Sequence, residues 1–225
     1  MTKLIIHIPA RKGSKRVKKK NARTMNGKPM ISYAIKTAVE AKLNCEIYVD
    51  TDDEDLIKYV NLNFPGVKIH ERDPKLASDS AQSDDFVYDF IVKKKPDILM
   101  TLFPTCPLIQ SKTIKNAYAQ FQLSEVDTLI SCNETKMQTF HGNDPVNINV
   151  NEKLKPSQDN KPIRTLNWGI TIWDASKFKI RFETQGFASL GEERCLFKIP
   201  IEESFKVSNE EDFILCENLL KIKSS

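Results

Sequence analysis

No stretch of this sequence is apolar for long enough to cross a bilayer. The longest runs, Leu4–Ile6 and Ile98–Phe103, fall far short of the ~20 residues a membrane helix needs. Met1-Thr2-Lys3 leads directly into a strand-like segment, so no signal peptide is expected. The five cysteines (Cys45, Cys106, Cys132, Cys195, Cys216) are odd in number, widely spaced and free of any Cys-x-x-Cys pair. That argues against a disulfide framework or a zinc site and for reduced thiols in a cytoplasm. The three histidines (His7, His70, His141) lack ligand spacing, and His7 and His70 sit in strand-like runs as satisfied, half-buried side chains. Neither a Gly-x-x-x-x-Gly-Lys-Ser/Thr loop nor a Gly-x-Gly-x-x-Gly turn is present, and there is no internal repeat or low-complexity tract.

What is present is an ordinary globular composition with one unusual concentration of charge. The chain has 225 residues, 40% hydrophobic and 28% charged, which suits a single domain over 1–225 and excludes disorder. Net charge is only +4, yet Arg11, Lys12, Lys15, Arg16, Lys18, Lys19, Lys20 and Arg23 crowd one short segment. Like charges repel there unless an anion neutralises them.

Periodicity places that segment. Leu4–Pro9 reads as a buried strand, Pro29–Lys42 as a helix, Glu46–Val49 as a strand and Asp53–Asn63 as a helix stopped by Pro65 and Gly66. Val67–His70 is a short strand, and Asp84–Lys95 a helix with Phe86, Phe90 and Ile91 facing the core. Ile98–Phe103 is a strand, Lys112–Leu123 a helix and Thr128–Cys132 a strand. Residues 134–161, rich in Asn, Asp, Gln and Pro, break the rhythm as an arm or excursion, with an extended piece at Val146–Val150. Ile163–Trp173 and Arg194–Pro200 read as strands and Asn209–Lys221 as a closing helix. The alternation predicts an α/β fold with a doubly wound, mostly parallel sheet and helices on both faces. Ligands in such folds bind at the carboxyl ends of strands, where the basic segment begins.

Gly13 permits close backbone approach, Ser14 offers a hydroxyl and an N–H, and the cations supply charge for a triphosphate. A Lys-rich nucleic-acid patch has the same composition, but it need not hang on a buried strand. The aromatic residues that stack bases are also missing nearby. No nucleic-acid or membrane partner is expected.

Pro9-Ala10-Arg11-Lys12-Gly13-Ser14-Lys15-Arg16, with Lys20-Asn21 and Gly27-Lys28-Pro29-Met30, resembles the opening motif of acylneuraminate cytidylyltransferases, the CMP-sugar synthetases. Their relatives activate 3-deoxy-manno-octulosonate, legionaminate and pseudaminate. The resemblance continues at Val49–Glu54, Arg72–Asp79 and Pro104–Leu108, and more faintly at Asn167–Ile170 and Glu210–Phe213. It implies a nucleotidyltransferase moving CMP from CTP to a small acidic acceptor, a nonulosonic or related keto-deoxy sugar acid, with release of pyrophosphate. Alternatives are a different acceptor such as a phosphonate, or a nucleotide-binding relative without catalysis. By the resemblance Arg11, Gly13, Ser14, Lys15, Lys20 and Asn21 hold the nucleotide, Arg72, Asp79, Ala81 and Ser83 frame the base and the floor, and Arg11 and Lys20 stabilise developing charge. Asp79 and Ser83 also suit helix capping, and Asp50 and Asp52 suit capping or a metal.

Departures from the family pattern mark the acceptor side. Phe103 replaces a Gln, Cys106 a Ser and Ile109 an Arg, and Thr165–Gly169 loses an Arg and shifts an Asn. Phe103, Thr105, Trp168 and Lys206 are the expected acceptor residues, with Trp173 nearby. Lys206-Val207-Ser208 falls where relatives carry a metal-holding Asp-x-Asp pair, leaving the metal ligands unassigned, with Glu202 and Glu203 facing the surface. Mg²⁺ is therefore expected to enter mainly with CTP. The resemblance also implies a homodimer through the 134–161 arm.

Overall fold

The computed structural model describes residues 2–224. In chain order the regular elements are β1 (Leu4–Pro9), α1 (Ile31–Glu40), β2 (Glu46–Thr51), α2 (Glu54–Asn63), β3 (Lys68–Glu71), α3 (Ser83–Lys94) and β4 (Ile98–Leu102). They continue as α4 (Ser111–Leu123), β5 (Thr128–Thr135), β6 (Ile163–Asp174), α5 (Ala175–Gln185), β7 (Arg194–Lys198) and α6 (Glu210–Ser224). The seven strands form one sheet in the order β7-β5-β6-β4-β1-β2-β3. Only β6 runs antiparallel to its neighbours, β4 and β5.

All six side chains of β1 are buried, as a central parallel strand covered on both faces requires. Its alternation divides the core. Leu4, Ile6 and Ile8 pack with α1, α2 and α4, while Ile5 packs with Val87, Phe90 and Ile91 of α3 and Phe178 of α5. The chain runs from β1 to β2 and β3 on one side, then crosses back to β4 on the other side of β1. That reversal makes a crevice at the carboxyl ends of β1 and β4.

Three features differ from the sequence reading. Helix α5 is absent from the periodic pattern because its buried residues are only Ala175 and Phe178, amid lysine and arginine. Its ends are conventional: Asp174 accepts hydrogen bonds from the Ser176 and Lys177 amides, and Gly186 closes it at a φ of 81°. Second, Val146–Val150 forms no strand, and the excursion instead holds a small hairpin pairing Phe140 with Pro145 and His141 with Asp144. The Asn147 side chain accepts from the Thr139 amide and donates to the Met137 and Lys161 carbonyls, work that an extended segment would give to a strand partner. Third, Asp50 and Asp52 cap nothing. Asp53 caps α2, Asp52 accepts from the Lys12 amide, and Asp50 is buried inside the sheet.

Asp50 centres a polar network. His7 is fully buried rather than half-buried and bridges Thr101 Oγ1 at 3.0 Å and Asp50 Oδ2 at 2.8 Å. Arg72 donates Nε and Nη2 to the two Asp50 oxygens at 3.0 and 2.7 Å. Burial alone would raise the Asp50 carboxyl, but the His7 and Arg72 contacts outweigh it and hold the group down at about 2. Burial pushes His7 below its ordinary value against the pull of Asp50, and pushes His70 the same way.

These shifts set a pH profile. A histidine held low in the fold lets the unfolded chain take up protons first, so stability falls as pH drops below about 6.5, by up to ~1.4 kcal/mol per pH unit for each histidine. The Asp50 contribution is present above about 4 and disappears as pH falls toward about 2. Thermal melts from pH 7.5 to 5 should show the first decline, and His7→Gln should flatten its slope by about half. An unchanged slope would mean His7 does not titrate with unfolding.

Candidate active site

The crevice is built by the carboxyl ends of four strands. Pro9 ends β1 and Arg11 follows it, and Phe103, Pro104 and Thr105 follow β4, while Asp50 and Arg72 lie at the ends of β2 and β3. The Ala10 amide donates to the Asp50 carbonyl at 2.8 Å, and Thr51 Oγ1 donates to the Ala10 carbonyl at 2.5 Å. The loop therefore leaves β1 on a fixed heading. Its charges are held outward by Val17, which is buried with Met25, Met30 and with Val207, Phe213 and Cys216 near and on α6. Arg23 pairs with Glu210, and the Asn26 amide with Glu217, securing the segment to the last helix.

Two clefts of about 650 and 660 Å³ open side by side here. Arg11, Gly13, Ser14, Lys15, Lys20, Asn21, Arg72, Asp79 and Ser83 all line the first. Ala81 lines neither cleft. Phe103, Thr105, Trp168 and Lys206 all line the second, with Trp173. Arg16, Lys20, Ser83, Phe103 and Thr105 belong to both, so the clefts meet at a cationic boundary. The two groups of residues separated in the sequence reading are thus brought together as neighbouring compartments.

The electrostatics point to an anion. Burial lowers the Lys20 ammonium, and nearby Arg16, Lys206 and Arg11 lower it further. Its Nζ donates to the Val207 carbonyl at 3.1 Å, which fixes the cation without neutralising it. Arg11 donates to the Ala77 and Ser78 carbonyls at 3.1 and 2.9 Å. Its remaining charge, with that of Lys15, is met by Asp79 at 3.0 and 2.8 Å. Asp79 thus neutralises loop cations and does not cap α3. Gln82 and Asp85 form that capping box, and Ser83 is the first helical residue. Arg72 sits over the Phe86 ring at 4.2 Å; Phe86, half-buried, packs at the edge of the core that holds Phe90 and also lines the first cleft.

The second cleft owes its shape to a bulge. The β5–β6 register shifts between Leu166 and Thr171, and Trp168 adopts a φ of 60°, which turns its indole toward the cleft. Asn167 holds the bulge: its Oδ1 accepts from Ser131 Oγ at 2.5 Å and the Gly169 amide at 3.1 Å, and its Nδ2 donates to Asn133 at 2.7 Å. A side chain on Gly169 would lie 2.5 Å from Ile109 and 3.2 Å from Cys106. Cys106 and Ile109 are therefore packed beneath the bulge and, contrary to the family-based expectation, do not line the second cleft. Trp173 is nearly fully buried and donates its indole N–H to the Ser189 carbonyl at 2.9 Å. Arg16, Asp84, Arg181, Phe187, Leu190 and Arg194 also line this cleft, and the sequence reading named none of them as site residues.

The residues do not fit a protein-held metal. No group of three or more His, Cys, Asp or Glu side chains converges among the described residues. Asp50 is consumed by His7 and Arg72, and Asp79 by Arg11 and Lys15. Glu203, buried and not on the surface as expected, accepts from the Gln110 amide at the start of α4. Lys206 adds a cation beside Lys20, where a divalent ion would be repelled.

A family profile described as Cytidylyltransferase matches residues 5–211. The post-translational flagellin modification protein B of Campylobacter coli is 29% identical, over 100% of this chain and 97% of its own length. The pseudaminic acid cytidylyltransferase of Campylobacter jejuni is 33% identical over 132 residues, which is 56% of each protein, so the match spans about half of that relative. A solved CMP:2-keto-3-deoxy-manno-octonic acid synthetase in complex with CTP shares the fold at a TM-score of 0.70 and 16% identity, covering 99% of this chain and 100% of its own. With a profile match across nearly the whole sheet, the chain belongs to the cytidylyltransferase family.

Proposed function

We propose that this enzyme transfers CMP from CTP to a nonulosonic or related keto-deoxy sugar acid and releases pyrophosphate. The observation that carries the reading is the pair of clefts meeting at Lys20 and Arg16: one lined by the basic loop, the other by Trp168, Trp173 and Phe103. CTP occupies the first, with its triphosphate on Arg11, Ser14, Lys15 and Lys20, displacing Asp79 from the cations it now neutralises. The acceptor occupies the second, its acid group near Lys206 and Lys20. An acceptor hydroxyl oxygen attacks the α-phosphorus in line and gives up its proton to water; the new O–P bond forms as the bond to the β-phosphate breaks, and the electron pair leaves with pyrophosphate. Fixed cations at the boundary face the charge that develops on the phosphoryl oxygens and need no reorganisation to do so. The names of the relatives, one a pseudaminic acid cytidylyltransferase, support the acceptor class. A phosphonate acceptor is the second reading, favoured by Arg16, Lys20 and Lys206 standing together at the boundary.

Mg²⁺ enters on the triphosphate, because the carboxylates around the clefts are already engaged. The 134–161 arm is the proposed homodimer contact. It exposes Met137, Phe140, Val146, Val150 and Leu154, an apolar set that a partner subunit would cover. Among the described residues no helix is long and apolar enough to cross a membrane. We place the reaction in the cytoplasm on the ground of its nucleotide substrate.

Pyrophosphate release at saturating CTP, over a panel holding pseudaminic, N-acylneuraminic and phosphonate acceptors, tests the function. Lys20→Met should lower kcat by about 100-fold or more and Arg11→Ala by about tenfold; near-parental rates in both would refute their roles. Titrating Mg²⁺ against turnover should give half-saturation on the order of millimolar, and Lys206→Asp should shift it to lower concentration. A tight metal dependence in the parent would contradict the reading of the Lys206 position. Light scattering should give a dimer mass, and a purely monomeric solution would remove the arm contact.

A further inference from the structure

The far wall of the acceptor cleft is a loop that the sequence does not connect to the nucleotide side, yet one carboxylate joins them. Asp84 lies in the first turn of α3, directly after Gln82 and Ser83, which line the clefts. A carboxylate in a first turn ordinarily serves its own helix. Here the Gln82–Asp85 capping box does that work. Asp84 Oδ1 instead accepts the amides of Ala188 and Ser189, both at 2.7 Å and more than a hundred residues away. That loop, between α5 and β7, supplies Phe187, Ser189 and Leu190 to the cleft.

The wall it fixes has a definite chemistry. Phe187 and Leu190 are substantially exposed. Beside them the Arg181 guanidinium lies 5.6 Å from the Phe187 ring centroid, and its Nε is buried with no hydrogen-bond partner. A buried donor without a partner is costly, and a shift of the Arg181 side chain, which lines the cleft, would bring that donor to a ligand oxygen. The remaining cations of the cleft lie elsewhere: Arg16 and Lys20 at the nucleotide boundary, Lys206 near Lys20, and Arg194 bonded to the Leu190 and Gly191 carbonyls.

We propose that Asp84 is a positioning residue that clamps the 187–190 loop to the start of α3, and that the wall so placed reads the acceptor at its end remote from the reacting oxygen. The group it takes is a hydrogen-bond-accepting oxygen for Arg181 beside an apolar substituent for Phe187 and Leu190. The ligand assignment rests on the acceptor reading above; the clamp does not. Because the clamped loop lines the second cleft and not the first, loss of the clamp disturbs the acceptor compartment and leaves the basic loop untouched.

The test compares Asp84→Ala, Asp84→Asn and Arg181→Met with the parent, using pseudaminic acid as acceptor. Asp84→Ala should raise the acceptor KM about tenfold or more while kcat stays within about threefold and CTP affinity is unchanged. Asp84→Asn, which keeps an accepting oxygen, should recover most of the loss. Arg181→Met should raise the acceptor KM by a similar factor. Hydrogen–deuterium exchange should accelerate over residues 186–190 in Asp84→Ala and not over β1. An unchanged acceptor KM, or a CTP affinity that weakens in step with it, overturns the positioning role. If the parent neither binds CTP nor releases pyrophosphate, the functional reading fails on its own. Exchange at 186–190 then decides the clamp: acceleration supports it, and parental rates overturn it.

Discussion

A carboxylate buried in a sheet has to be neutralised where it sits, and in this protein that requirement organises the site. Asp50 is almost completely buried at the end of β2, with Arg72 on one side and His7 on the other. Removing a partner from such a group leaves an uncompensated charge, a loss of ~3–5 kcal/mol. The arrangement therefore persists as a unit. It ties β1, β2 and β4 through His7 and Thr101, fixes Arg72 over Phe86 as the cleft floor, and through the Asp50 carbonyl sets where the chain turns out of β1. The basic loop inherits its direction from that turn.

Above this floor the charge balance reverses. The loop is held by the apolar packing of Val17 and Met25 against residues near and on α6, and by the Arg23–Glu210 pair. Asp79 covers Arg11 and Lys15 from an exposed position, where an ion pair is worth little and a triphosphate competes well. Lys20 is left among other cations. On the proposed function, this underneutralised cation set beside an apolar cleft is what joins a polyanionic donor to an organic acid.

The strands and most helices were legible because each carries its own period. Leu4–Pro9 is apolar but for His7, and its bounds agree with the structure. The basic loop was legible because charge density on one short segment needs no partner to be noticed. Helix α5 was not legible, since only Ala175 and Phe178 are buried in it, though Asp174 and Gly186 marked its ends. With α5 and the following loop unread, Arg181, Phe187 and Leu190 stayed invisible. The roles of Asp50 and Asp52 were misread because Asp53, the true cap, is adjacent, and sequence distance alone does not separate a cap from its neighbours.

By itself the sequence determined the alternation of strands and helices, the place of the cation-rich loop at the end of β1, and the family resemblance of its motifs. These are local properties: burial period, charge density and turn chemistry act over a few residues. The tertiary structure alone decided that Lys206 faces Lys20, that Trp168 turns into the second cleft on a bulge, that Cys106 and Ile109 pack under Gly169, and that Asp84 holds a loop near residue 188. Each of those depends on which strand ends lie side by side. That order is fixed by closing one sheet around a shared core and not by any single segment.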